Sequence, residues 1–156
     1  MAESVRTVIF PGVVLVHPAD LPPYVGSPLS TGVDIRANVG VAIEPGSYAK
    51  VATGCTVEMD HRAGDDLNNL YRRGHDLQMR PRSGFAARGV FGHVGTIDAD
   101  YRGELFGLLF NLSAEPVAIS RGERVYQLVC GFHVAPCSWV ASGDARQGGL
   151  GSTGVL

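Results

Sequence analysis

Short apolar runs, broken by Gly and Pro at close intervals, set the pattern of this chain. The runs cover residues 13–17, 39–43, 49–52, 55–59, 104–111, 116–119 and 125–132, and several are rich in Val, Ile, Phe and Tyr. Runs of this length, bounded by turn residues and enriched in β-branched and aromatic side chains, predict strands. Many short strands in one small chain predict an all-β sandwich or barrel. Thr53-Gly54 interrupts the middle runs, which predicts a bend or bulge within extended structure. Sustained 3.6-residue periodicity is absent. The best helix candidate is 64–73, GDDLNNLYRR, where Leu67, Leu70 and Tyr71 share a face. Asp65 and Asp66 open that stretch and Arg72 and Arg73 close it, the polarity a helix dipole favours.

The pattern changes near Ser142. Four of the eight residues 148–155 are Gly, and 142–156 cannot build a core of its own. Two readings stand: a frayed terminus, or a strap that orders on a ligand. The rest, 1–141, reads as a single domain.

Composition narrows the classes. The chain has 156 residues, 45% of them hydrophobic, enough for one domain with a real core. No apolar run approaches the ~18–20 residues of a membrane span, and MAESVRTVIF does not read as a secretory signal. The formal charge of −2, 13 basic against 15 acidic side chains, excludes the basic footprint of a general nucleic-acid binder. Three Cys (Cys55, Cys130, Cys137) with no CxxC argue against disulfide scaffolding and a zinc knuckle. An intracellular, reducing setting, cytoplasmic or another compartment, is expected. Cys55 and Cys130 lie in apolar runs and are expected as small core residues.

Four segments hold candidate chemistry. In 148–154, GGLGSTG, glycine backbone and Ser/Thr hydroxyls could cradle an anion, although no Lys precedes Ser152-Thr153 as a Walker loop requires. In Pro81-Arg82-Ser83-Gly84 a guanidinium fork suits phosphate oxygens; the alternative is a β-turn with a solvated Arg. In 95–104, GTIDADYRGE, a carboxylate could act as a general base toward water, or the segment could be a polar turn with an ion pair to Arg102. In 121–129, RGERVYQLV, a charged turn leads into a strand, and Gln127 reaches a ligand only if it faces the right way.

Together and in this order, with GVDIRA at 32–37, these segments resemble the five motifs of the trimeric dUTPase family. GVDIRA resembles motif one, PRSG motif two, GTIDADYRGE motif three, RGERVYQLV motif four and GGLGSTG motif five. The resemblance runs from about Val14 to the C-terminus.

The resemblance implies a jelly-roll, β-clip-like fold that assembles as a homotrimer. Each site then draws on more than one subunit, and the last motif arrives as a flexible arm over a neighbouring site. The implied reaction is hydrolysis of dUTP to dUMP and pyrophosphate, with Mg²⁺ held by the triphosphate. Asp98 matches the carboxylate that activates water. Tyr101 matches the ring that packs on deoxyribose and crowds out a 2′-hydroxyl. Arg82, Ser83, Gly84 and Gln127 match phosphate contacts; Gly149, Gly151, Ser152 and Thr153 match the closing arm. Asp34 matches a carboxylate that could hold a metal-bound water, with a structural role as the alternative. A hairpin over Gly92, His93, Val94, Gly95, Thr96 and Ile97 is implied to read uracil through its backbone. Asp100 and Glu104 are expected as structural.

Four features depart from the family pattern. Leu150 stands where an aromatic usually covers the base. Arg146 sits one residue closer to that position than the usual phosphate-binding Arg. Gly92 replaces a common Asn. The stretch 60–76 looks like an insertion and contains the helix candidate. The insertion motivates a second reading, a dUTPase-like regulator that engages a protein partner there, with or without hydrolysis. The related dCTP deaminases need a Glu on the strand after motif three, where this chain has Leu108-Leu109-Phe110-Asn111. His61, His75 and His93 form no metal constellation by spacing, and Trp139 is expected at a subunit edge.

Overall fold

The computed structural model describes residues 3–59 and 75–132. The helix candidate, Cys137, Trp139, most of the expected insertion with its partner-binding role, and the whole C-terminal arm lie outside these residues.

The fold is almost entirely β. Its strands are β1 (Ser4–Phe10), β2 (Val13–Pro18), β3 (Gly32–Arg36), β4 (Val41–Ile43), β5 (Tyr48–Met59), β6 (His75–Pro81), β7 (Val90–Gly92), β8 (Gly95–Ile97), β9 (Leu105–Asn111), β10 (Val117–Ile119) and β11 (Arg124–Phe132). A single helical turn, α1 (Ser83–Ala86), follows β6. Because β6 begins at His75, the last two residues of the expected insertion belong to the sheet. Among the described residues no helix is long and apolar enough to cross a membrane.

Two antiparallel sheets form the layers. One has the order β1-β2-β5-β9-β7 and the other β3-β11-β6-β8, with a short β10-β4 pair beside them. Period-2 alternation decides which side chains turn inward. In β5, Val51, Thr53, Cys55, Val57 and Met59 are buried, while the residues between them are less so. Leu15, Val57 and Leu109 of the first sheet join Ile35, Leu77 and Leu128 of the second in one core. Each such side chain contributes about 1.5–3 kcal/mol on full burial. Both sheets keep separate edges, so the described residues form a sandwich and not a closed barrel.

The break anticipated at Thr53-Gly54 is a bulge. The β5–β9 register shifts between Ala52 and Cys55, and Gly54 takes a left-handed φ of 68°. The Glu104 carboxylate accepts the Gly54 N–H at 2.7 Å, which gives Glu104 the structural role expected of it. Cys55 is 2% exposed in the core. Cys130 departs from its expectation. It is only half-buried, because it lies toward the end of β11.

The segment expected as a hairpin before Asp98 is a corner. β7 pairs with β9 in one sheet, whereas β8 pairs with β6 in the other. The chain crosses between layers over His93 and Val94, and long-range pairing on each side overrides the local hairpin. The outer face beside this corner carries a row of aromatic side chains, since Tyr48 and Phe91 both register with Phe110.

Candidate active site

β3 and β11 are neighbours, and their register sets Asp34 opposite Gln127. Gln127 in turn opposes Arg80 on β6. All three side chains therefore share one sheet face. Gly32 makes room for this arrangement, because a Cβ there would overlap the Gln127 carboxamide. The chain leaves β6 at Pro81, and Arg82 remains extended at φ −76°, ψ 140° before α1 begins. A helical turn thus stands where a β-turn was the plain reading of PRSG. It forms because Phe85, 3% exposed, anchors the segment in the core while its N–H donates to the Arg82 carbonyl at 3.1 Å.

Arg82 and Arg124 converge on one carboxylate. Arg82 Nε lies 3.1 Å from Asp34 Oδ2, and an Arg124 guanidinium nitrogen lies 3.2 Å from the same oxygen. Arg124 also stacks over the Tyr24 ring, 4.4 Å from its centroid. Tyr24 is tied in turn to Asp34 through reciprocal backbone hydrogen bonds of 3.0 and 2.8 Å. These contacts orient both forks and leave the cluster with one excess positive charge. The cluster borders an open groove of about 430 Å³ that Ser30, Thr31, Ser83 and Gln127 also line. Such a groove suits an anion with several oxygens.

Of the sequence candidates, Asp34, Arg82, Ser83 and Gln127 meet here. Gly84 does not line the groove. It lies on α1, and the space its Cβ would occupy has no atom within 4 Å. Arg124 was missed among the candidates. Its signal was present in RGERVYQLV, where a charge stands three residues before Gln127 and so near the same strand end.

The carboxylate expected to activate water is elsewhere. Asp98 follows β8 at the far edge of the sheet, with β6 and β11 between it and β3. The register Leu77–Ile97, carried one step on, sets Asp98 beside Asp76. Strand spacing and rise then place it roughly 20 Å from Asp34. Asp98 is exposed and opens a tight turn in which the Tyr101 N–H donates to its carbonyl at 3.0 Å. The Tyr101 hydroxyl donates to the Glu104 carbonyl at 2.9 Å, which fixes the ring direction. Burial, helped by the Glu104 charge, pushes the Tyr101 phenol above its ordinary value, so it stays protonated. Arg102 does not simply pair with a neighbouring acid, since its guanidinium donates to the carbonyls of Ala99 and Tyr101 at 2.8 and 2.9 Å.

Gly92, His93, Gly95, Thr96 and Ile97 form the corner that leads to Asp98. Thr96 is exposed and Ile97 buried. The His93 N–H donates to the Leu108 carbonyl at 3.1 Å, continuing the β7–β9 ladder one step. Arg146, Gly149, Leu150, Gly151, Ser152 and Thr153 lie outside the described residues.

The profile of the dUTPase family matches residues 66–154, which include motifs two to five. The chain is 40% identical over 144 residues to the deoxyuridine 5′-triphosphate nucleotidohydrolase of Anaeromyxobacter sp. (strain Fw109-5), covering 88% of this chain and 89% of that one. The chain belongs to the dUTPase family. Solved dUTPases share its fold. The Streptococcus mutans dUTPase superposes with a TM-score of 0.63 at 22% identity, over 80% of this chain and 98% of that chain. A mutant dUTPase of phage phi11 of S. aureus, whose structure reveals coordination of a structural Mg(II) ion, superposes with a TM-score of 0.61 at 19% identity, over 79% and 90% of the two chains. In this dUTPase-family chain, then, residues of motifs one, two and four line one groove, and motif three stands at the far edge of the same sheet.

Proposed function

We infer that the groove of Asp34, Arg82, Ser83, Arg124 and Gln127 holds the triphosphate of dUTP, which the protein hydrolyses to dUMP and pyrophosphate. One observation carries the reading of the site. The phosphate-type residues of a single chain converge, yet the carboxylate that must meet the α-phosphate lies roughly 20 Å away by strand spacing. A dUTP molecule does not bridge that separation and still put its α-phosphorus against Asp98. A second copy of the chain supplies the missing half, and a closed homotrimer satisfies every groove with a neighbour's Asp98.

Within the assembled site, Asp98 accepts a proton from water as the water oxygen bonds to the α-phosphorus. The bond from that phosphorus to the bridging oxygen breaks, and pyrophosphate leaves. Arg82, Arg124, Ser83 and Gln127 bind the phosphate oxygens and hold the α-phosphorus in line for attack. Tyr101, its hydroxyl already engaged, presents a fixed ring against the deoxyribose and leaves no room for a 2′-hydroxyl. The corner from Gly92 to Ile97 reads the base through its backbone. Gly149, Leu150, Gly151, Ser152 and Thr153, with Arg146, close over the nucleotide from a further copy and exclude water.

The described residues fit an Mg²⁺ that arrives on the nucleotide. Among them, no group of three or more His, Cys, Asp or Glu side chains could cage a metal. Mg²⁺ keeps several waters and takes phosphate oxygens readily. Asp34, whose Oδ2 already accepts from two guanidiniums, is the residue that would hold one of those waters. The bound ion supplies charge neutralisation to the triphosphate.

The test is pyrophosphate release from dUTP against dCTP, dTTP and UTP, with and without Mg²⁺, alongside the mass of the assembly in solution. Release specific to dUTP by a trimer is expected. A monomer that turns over dUTP at full rate would remove the shared site.

A further inference from the structure

Tyr126 is an unusual group to find beneath the corner that leads to Asp98. It points inward from β11 and is fully buried. Its ring lies where a side chain at Gly107 would stand, and its hydroxyl lies 2.5 Å from where the Cβ of residue 92 would be. Two glycines on neighbouring strands therefore leave the space that one tyrosine fills. The hydroxyl donates to the Leu108 carbonyl at 2.9 Å and sits 3.5 Å from His93 Nδ1.

His93 is held by the same residue, Leu108, from both of its backbone groups. The His93 N–H donates to the Leu108 carbonyl, and the Leu108 N–H donates to His93 Nδ1 at 3.1 Å. An Nδ1 that accepts a hydrogen bond carries no proton, so in the neutral ring the proton is on Nε2. Burial pushes the imidazole below its ordinary value, against a smaller opposing contribution from the Leu108 backbone, so the ring is neutral near pH 7. The Nε2–H has no hydrogen-bond partner among the described residues. It lies over Gly95, whose Cβ, if present, would approach it to 3.2 Å. The lack of a side chain at 95 keeps the donor open at the corner.

We propose that His93 is a specificity-determining residue whose Nε2–H donates to the C4 carbonyl of uracil, with Tyr126 as the residue that positions it. The proposal rests on the corner reading the base, as inferred above, and adds a side-chain donor to the backbone groups. A fixed donor pairs with the C4 carbonyl of uracil but faces another donor in the C4 amino group of cytosine, which leaves both unpaired. It does not separate uracil from thymine.

The test separates the donor from the scaffold. His93→Asn keeps an oxygen near the Nδ1 position for the Leu108 N–H and removes the group at Nε2. His93→Gln keeps a donor near Nε2. Tyr126→Phe keeps the ring between Gly92 and Gly107 and removes the hydroxyl's bond to the Leu108 carbonyl together with its contact to His93 Nδ1. His93→Asn should cut kcat/KM for dUTP by roughly 10- to 100-fold, mostly through KM. The value for dCTP should hardly change, so the ratio between them falls. His93→Gln should restore part of that ratio, and Tyr126→Phe should lower it by a smaller factor. Nitrogen NMR of the wild-type ring should show the proton on Nε2 at pH 8.

Calorimetric binding of dUMP against dCMP is run beside turnover. A wild type that prefers dUMP but releases no pyrophosphate would remove the reaction and leave the donor standing. An unchanged base preference in His93→Asn, or a ring protonated on Nδ1, overturns the proposal.

Discussion

The ring of Tyr126 occupies the space that a side chain at Gly107 would fill. The two residues face each other across the sandwich, and the size of one fixes the size of the other. Gly107→Val should therefore force the ring aside, costing about 1–3 kcal/mol or more. Tyr126→Ala should open a cavity, at about 3–5 kcal/mol. Tyr126→Ala with Gly107→Val should be more stable than the sum of the single changes, since the valine refills part of the void. Denaturant unfolding of all three variants measures the coupling. Additive effects would mean that the ring has room to move.

Asp98→Asn keeps the shape of the side chain and removes its basicity. Turnover of dUTP should fall by about 10²–10⁴-fold while KM shifts little. Steady-state pyrophosphate release measures the split. A rate near that of the parent enzyme would show that some other group takes the proton from water.

Arg82 bridges Asp34 and the groove, so its loss has two effects. Arg82→Ala removes a charged donor and leaves Asp34 with Arg124 as its remaining guanidinium partner. KM for dUTP should rise by roughly 10- to 150-fold, the equivalent of one charge-assisted hydrogen bond. Arg82→Lys should recover only part of this, since an ammonium lacks the planar fork. Equal KM values across the three proteins would place the triphosphate outside the groove.

Burial pushes the Cys55 thiol up to about 11 from its ordinary 9.0, aided by the Glu104 charge and opposed by a hydrogen bond with Thr53. The folded state therefore favours the protonated thiol. Below pH 9 this group imposes no penalty; above it, the unfolded chain ionises first and stability falls. The loss should approach about 1.4 kcal/mol per pH unit and end as the pH passes the folded value near 11. The difference in unfolding free energy between the wild type and Cys55→Ala, followed from pH 8 to 11, isolates the effect. A flat difference would show that the thiolate is tolerated in the core.

Strands with strong apolar runs were legible in the sequence. β2 and β11 lie where Val13 to His17 and Val125 to Phe132 predicted them. β1 and β6 were missed for different reasons. β1 is an edge strand, four of whose seven residues are exposed, so hydrophobicity hardly marks it. β6 alternates in the right way, with Leu77 and Met79 inward, but its polar residues 76, 78 and 80 dilute the run. The motif residues named most of the groove because their chemistry is local. The corner at His93 was read as a hairpin because turn residues do not disclose which strands they join. Arg124 escaped for a related reason: only the pairing of β3 with β11 brings it to Asp34.

The distance between the groove and Asp98 has a genetic counterpart. A chain carrying Arg82→Ala and a chain carrying Asp98→Asn should each assemble into impaired particles, slow at dUTP concentrations far below KM, because every pocket in either particle carries one lesion. Mixed and allowed to exchange, they form hybrids in which some pockets draw both intact halves and others collect both lesions. Two slow stocks should then yield a faster mixture, recovering up to a fixed fraction of the wild-type rate that the mixing ratio sets.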